Sequence, residues 1–286
     1  MIFQTNFNKQ IENIFLLLAQ KYGEEVKSIE DNNSLKKFYN DFISYIQKRK
    51  VESDTTNIVI DNRKSREFLN IFNGGEETNL DDKNQKNLIK KSVSENIQSQ
   101  CERVEASIKE LEIYSKEHFF LLNTIITDIF LLPSSEARGG SSSTALGLIW
   151  ANPKLDHSIK DLTEFLIHEL THNCMFIDEL VYGHYEYASI LDKTTWANSA
   201  ILKMPRPLDK VVHSIAVSIE IVLYRDLVIG HPKQTKIHPP TEIMLNQLDS
   251  SIESLESILL KHSDKIILQD RPLEIIDNIK EIRKGL

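Results

Sequence analysis

The chain is expected to be mainly α, a helical protein with a small β-sheet next to one helix that carries an H-E-x-x-H string. Three observations carry this. Glycine and proline are scarce, 9 and 8 residues in 286. Apolar residues recur at i, i+3, i+4, i+7 over most of the chain. The best strand candidate, Thr144 to Ala151, stands directly before the helix that holds His168-Glu169-Leu170-Thr171-His172.

Ile11, Ile14, Phe15 and Leu18 mark a first helix, and Leu35, Phe38, Tyr39, Phe42 and Ile46 a second. Asp31-Asn32-Asn33-Ser34 between them supplies turn and cap chemistry. Asn57 to Ile60 reads as a short strand or a loop anchor, and Gly74 to Gln85 as a polar surface loop. A helical pattern runs from Leu88 to Leu132, broken near Ser115 to His118. Pro133 stops it, and the Gly/Ser-rich stretch Ser134 to Ser143 reads as a flexible loop. There Ser141-Ser142-Ser143 is expected to act as a lid beside the strand. Ser158 and Asp161 form a capping box that opens the next helix. Tyr182 to Pro207 is loop-rich, a second apolar helix spans Leu208 to Ile229, and Glu242 to Lys284 holds one or two amphipathic helices. Three regions follow: a helical N-terminal part (1–132), a metal-binding catalytic core (133–230) and a helical C-terminal part (231–286), packed as one unit.

The net charge of −8 argues against nonspecific binding to nucleic acid or to an anionic membrane surface. No apolar run approaches the roughly 18 residues of a membrane span. A cytoplasmic location is expected, with Cys101 and Cys174 reduced. Neither a phosphate-cradling glycine loop nor a serine-nucleophile motif is present: Gly139-Gly140 has no lysine after it.

Residues four apart on a helix share a face, so His168 and His172 can direct two imidazoles at one ion, with Glu169 on the flank. The string also arises by chance on exposed, charged helices. Here it is embedded in apolar sequence, Phe165-Leu166-Ile167 before it and Cys174-Met175-Phe176 after it, and buried imidazoles need partners. The extended peptidase pattern is missing, because Met175 and Asp178 stand where its Gly and His would fall. A third ligand must come from elsewhere: Glu179, His184, His213 or Glu220. His213 and Glu220, seven apart on the second apolar helix, are best placed, with His213 preferred and Glu220 as the next choice or as a partner to an imidazole N–H.

Two chemistries fit such a centre. Zinc would leave a position for water, with Glu169 as general base in peptide hydrolysis. Ferrous iron would leave positions for 2-oxoglutarate and dioxygen, and its usual set is two histidines and a carboxylate. The co-substrate's distal carboxylate calls for a guanidinium, from Arg206, Arg225 or Arg138.

Leu146-Gly147-Leu148-Ile149, the H-E-x-x-H helix, Arg206-Pro207-Leu208 and Val212-His213-Ser214 resemble the H-E-x-x-H domain of enzymes that modify ribosomally made peptides. That family consists of iron(II)/2-oxoglutarate-dependent peptide β-hydroxylases. The resemblance covers Leu146 to Arg225. It implies His168, His172 and His213 as metal ligands and a peptide substrate, and it suggests a role for Arg206, taken here as the best candidate for the 2-oxoglutarate carboxylate. Glu169 then acts near the metal without being a proteolytic base. Ser214 departs from the small residue, often glycine, expected after the histidine, and residues 1–130 match nothing in the family. A zincin-like core is expected by analogy. Zinc peptidase and non-catalytic helical binding module are the alternatives.

Overall fold

Helical spacing and caps decide most of the structure. The computed structural model describes residues 6–51, 53–73 and 89–286. Among them are ten α-helices and a four-stranded mixed sheet. The surface loop expected at Gly74 to Gln85 lies outside the described residues, and no described helix is long and apolar enough to cross a membrane.

Helices α1 (Phe7–Tyr22) and α2 (Asn32–Gln47) precede strand β1 (Asn57–Val59) and α3 (Asn62–Phe72). Asp31 and Ser34 make a reciprocal capping box at the start of α2. Helices α4 (Ile97–Tyr114) and α5 (Lys116–Ile125) meet at Ser115, where the sequence pattern breaks. Strand β2 (Asp128–Leu131) follows, then β3 (Gly139–Ser141) and β4 (Leu148–Ala151). The sheet order is β1-β2-β4-β3. β1, β2 and β4 run parallel, in register Asn57 with Asp128 and Asp128 with Leu148, and β3 is the antiparallel outer strand.

Two expectations change here. The helix expected to continue to Leu132 ends at Ile125, and β2 takes over. Ile129 to Leu132 is a short apolar run, fully buried, where no alternation marks a strand. The flexible Gly/Ser loop contains β3. A Cβ on Gly139 would collide with the Trp150 carbonyl oxygen and the Phe165 ring, so glycine lets this strand lie flat between β4 and the helix that carries the H-E-x-x-H string. Strand β2, before residue 132, pairs with β4 beyond it, so the sheet joins the first two of the expected regions.

Helix α6 (Ile159–Tyr182) begins with the Ser158–Asp161 capping box and ends at Gly183, whose φ of 70° suits glycine. It packs against α1, α4, α5 and β3 on one side and against α8 (Leu208–Tyr224) on the other. Between α6 and α8 lie the short helix α7 (Tyr187–Ile190) and a ribbon of β5 (Ala197–Asn198) and β6 (Pro205–Arg206). Helix α8 is buried on all sides except at Lys210, with His213, Ser214, Ser218 and Glu220 enclosed among its apolar residues. It widens into a π turn, Arg225–Ile229, that stops at Gly230. Helices α9 (Thr241–Lys261) and α10 (Asp270–Arg283) cover α8.

Asp178 joins distant parts of the chain. It accepts hydrogen bonds from Asn13 (2.8 Å), His184 (2.7 Å) and Arg271 (2.8 Å). Burial alone would raise its pKa, but the hydrogen bonds and charges of His184 and Arg271 prevail and bring it from 3.8 to about 2.

Two outcomes follow from this packing. Gly139→Ala should lower stability by about 1–3 kcal/mol, as forced overpacking does, read as a fall in denaturant midpoint; an unchanged midpoint would show that β3 can move freely. Because the folded pKa of Asp178 is depressed, its contribution is complete above pH 4 or so and is lost as pH falls toward 2. A loss of roughly 2 kcal/mol is expected across that window, absent in Asp178→Asn, by denaturant titration at a series of pH values.

Candidate metal centre

The four-residue spacing on α6 stacks Glu164, His168 and His172 along one face. The Nε2 atoms of His168 and His172 lie 3.1 Å apart. Two metal–nitrogen bonds of about 2.1 Å opened by about 95° span that distance. Glu169 Oε1 is 3.9 Å from His168 Nε2, and the ligand atoms of His168, Glu169 and His172 all fall within 4.8 Å of one another. The His168 side chain keeps 16% exposure, so solvent reaches the pair.

Burial depresses the pKa of His168, His172 and His213 well below the ordinary imidazole value, helped by neighbouring positive charge. Neutral rings with available lone pairs are what a metal needs. Glu169 is buried and its Oε2 has no hydrogen-bond partner. Burial raises its carboxyl pKa to about 8, against a smaller opposing effect of the Ser141 hydroxyl. An orphaned carboxylate oxygen beside two neutral imidazoles fits a divalent cation, and this nitrogen–oxygen donor set suits zinc or ferrous iron. The Cys174 sulfur is not among these clustered ligand atoms, and burial holds its thiol pKa well above the ordinary value.

Both motif imidazoles have a second imidazole at Nδ1. His238 Nε2 is 2.9 Å from His168 Nδ1, and His213 Nδ1 is 2.9 Å from His172 Nδ1. Behind His238, Glu164 Oε2 lies 3.2 Å from its Nδ1. Arg225 grips the Glu164 carboxylate with Nε and Nη2, each at 2.7 Å. Burial would raise the Glu164 pKa, but the hydrogen bonds of His238 and Arg225 outweigh it and lower the value. Asn173 ties the sheet to α6: its Nδ2 donates to the Glu169 carbonyl (2.9 Å) and to Ser141 Oγ (3.1 Å), and its Oδ1 accepts from Gly147 N (2.8 Å).

The predicted residues divide. His168, Glu169 and His172 come together. His213 reaches the site, but it meets the Nδ1 edge of His172 and does not stand beside the Nε2 pair. Glu220 is two turns, about 10 Å, farther along α8. It is spent on His118 (2.9 Å), whose other nitrogen is 2.6 Å from Ser115 Oγ. His184 is held by Asp178, and Glu179 contacts Tyr187. Arg225 is corrected as a co-substrate anchor: it is fully buried, with Glu164 on Nε and Nη2 and the Pro239 carbonyl and Thr241 hydroxyl on Nη1. Arg206, half-buried on β6, is close enough for its charge to act on His172. Arg138 is exposed next to β3.

Sequence reasoning missed Glu164 and His238. Glu164 had a usable signal, one turn before His168 on the same face. His238 stands alone before Pro239-Pro240, with no spacing that links it to α6. Compared with protein-family models and with curated proteins, the chain matches none.

His213→Ala should weaken Zn(II) or Co(II) binding at least about tenfold, the usual effect of removing a partner of a ligating histidine. Isothermal titration compares it with His168→Ala. A loss as complete as that of His168→Ala makes His213 a direct ligand, a loss of about 10–100-fold makes it the orienting partner of His172, and unchanged affinity removes it from the centre.

Proposed function

We propose that the chain is a mononuclear metal enzyme acting on a peptide, and that it is an iron(II)/2-oxoglutarate-dependent β-hydroxylase of a ribosomally made peptide. One observation supports the metal centre above all others: the 3.1 Å pair of Nε2 atoms beside a buried carboxylate with an unpartnered oxygen. The choice of iron and 2-oxoglutarate rests on the sequence resemblance from Leu146 to Arg225. Ferrous iron with 2-oxoglutarate and dioxygen supplies the oxidising power to hydroxylate an unactivated C–H bond.

The chain's own residues have distinct tasks in this reading. His168 and His172 hold the metal, with His213 against His172. With Arg225 committed to Glu164, Arg206 is the guanidinium proposed to take the distal carboxylate of 2-oxoglutarate. Strand β3 is the outer strand of the sheet, beside α6, and one of its edges is not paired with any described strand. An extended peptide could add there through backbone hydrogen bonds.

Glu169 favours a second reading, a zinc peptidase. A buried carboxyl with a raised pKa and an unpaired oxygen next to the metal pair is what a general base for water attack requires.

Anaerobic loading separates the two. Under the first reading, 2-oxoglutarate added to the Fe(II) protein gives a visible charge-transfer band that Arg206→Met weakens at least tenfold. Admitting air then adds one oxygen to a susceptible peptide, by mass spectrometry. No band with Fe(II), together with peptide cleavage by the Zn(II) protein that Glu169→Gln abolishes, overturns the hydroxylase in favour of the peptidase.

A further inference from the structure

Glu164, His168 and His172 occupy successive turns of α6, yet only the last two lie in the H-E-x-x-H string. Glu164 serves His168 indirectly, through a residue seventy positions away. His238 is 5% exposed and stands between them, its Nε2 on His168 Nδ1 and its Nδ1 on the Glu164 carboxylate. The two histidine rings are nearly parallel, 21° apart, with centroids separated by 5.1 Å.

The protons along this chain can be placed from its Arg225 end. There the guanidinium of Arg225 donates twice to Glu164, which fixes that carboxylate as an acceptor. His238 must then donate from Nδ1, so as a neutral ring it has a bare Nε2. A bare Nε2 accepts, and the partner facing it is His168 Nδ1. His168 therefore carries its proton on Nδ1 and presents a lone pair at Nε2, the atom that faces His172 Nε2. The reverse placement would put a proton on the Glu164 carboxylate while two guanidinium N–H groups point at it.

We propose that His238 is a positioning residue for the metal centre: the series Arg225–Glu164–His238 sets the tautomer and ring orientation of His168, so that its Nε2 is held ready as a ligand. This rests on the metal-centre reading above and does not depend on whether the metal is iron or zinc. Pro239 and Pro240 strengthen it. They follow His238 directly, restrict its backbone, and the Pro239 carbonyl is itself held by Arg225 at 2.8 Å. The guanidinium thus grips both the carboxylate behind His238 and the chain next to it.

Cobalt(II) is the probe, titrated into the full-length parent and into His238→Ala, His238→Gln and His168→Ala, with binding read from visible absorption and melting temperature recorded for each metal-free protein. His238→Ala should bind Co(II) about 10–100-fold more weakly than the parent, with a shifted band. His238→Gln, whose side-chain carbonyl can accept from His168 Nδ1, should recover most of the affinity and the parent band. Long-range nitrogen–proton NMR of the Zn(II)-loaded parent should find both His168 and His238 protonated at Nδ1, a readout that needs no variant to fold. Parent-like Co(II) affinity in His238→Ala, or a proton on His238 Nε2, overturns the positioning role and leaves the metal centre standing. A loss in His238→Ala as complete as in His168→Ala, without rescue by Gln, also overturns it, because His238 is then a ligand. A parent that binds neither Co(II) nor Zn(II) removes the metal centre and this role together.

Discussion

A buried helix can carry polar and ionisable side chains only where other elements satisfy them, and α6 carries several. Glu164, Glu169, Asn173 and Asp178 are all buried on a largely buried helix. Leaving one such group unpaired costs about 1–3 kcal/mol, and more if it is charged. Much of the chain's long-range order answers this requirement. Arg225 at the end of α8 and His238 beyond it meet Glu164. Asn13 from α1, His184 and Arg271 from α10 meet Asp178. Asn173 is matched by Gly147 and Ser141 next to the sheet. The N-terminal helices, the sheet and the C-terminal helices are therefore attached to α6 by specific polar contacts as well as by apolar packing, and the packing alone would not fix which turn of α6 faces which neighbour.

Helix α8 shows how one element can serve two polar networks. His213 and Glu220 share a face but sit two turns apart, and that separation decides their roles. The first reaches His172, and the second is consumed by His118 within the apolar core. Farther on, the switch from α to π geometry begins at Arg225, whose guanidinium then reaches Glu164. Breaking a buried pair of this kind by removing one partner costs about 3–5 kcal/mol, so the link between α6 and the end of α8 is a strong constraint on both helices.

What was legible in the sequence follows from the range of the forces involved. Caps and periodicity act over one or two turns, so Ser158–Asp161, the start of α8 and the break at Ser115 could be read directly. Strand β2 could not, because a strand buried on both faces of a parallel sheet loses the alternation that marks it. Strand β3 hid in a glycine-rich stretch whose glycine is required by contacts with Trp150 and Phe165, neither of them local. The same division holds at the candidate centre. The H-E-x-x-H pair and its flanking carboxylate are a local pattern. The partners at Nδ1 come from α8 and from the segment before α9, and Arg225 looked available only because the carboxylate that occupies it lies 61 residues earlier.

One polar atom on α6 departs from this matching. Asp178 and Asn173 have partners drawn from several elements, and Glu164 has two cationic or hydrogen-bonding neighbours, but Glu169 Oε2 has none. Its position is adjacent to the only pair of α6 imidazoles whose Nε2 atoms face each other. In the proposed reading, a divalent cation at the Nε2 pair would give the carboxylate its partner and reverse the effect of burial on its protonation. Local rules are most often broken at functional sites, and here the break, the imidazole pair and the partners that orient it coincide within two turns of one helix.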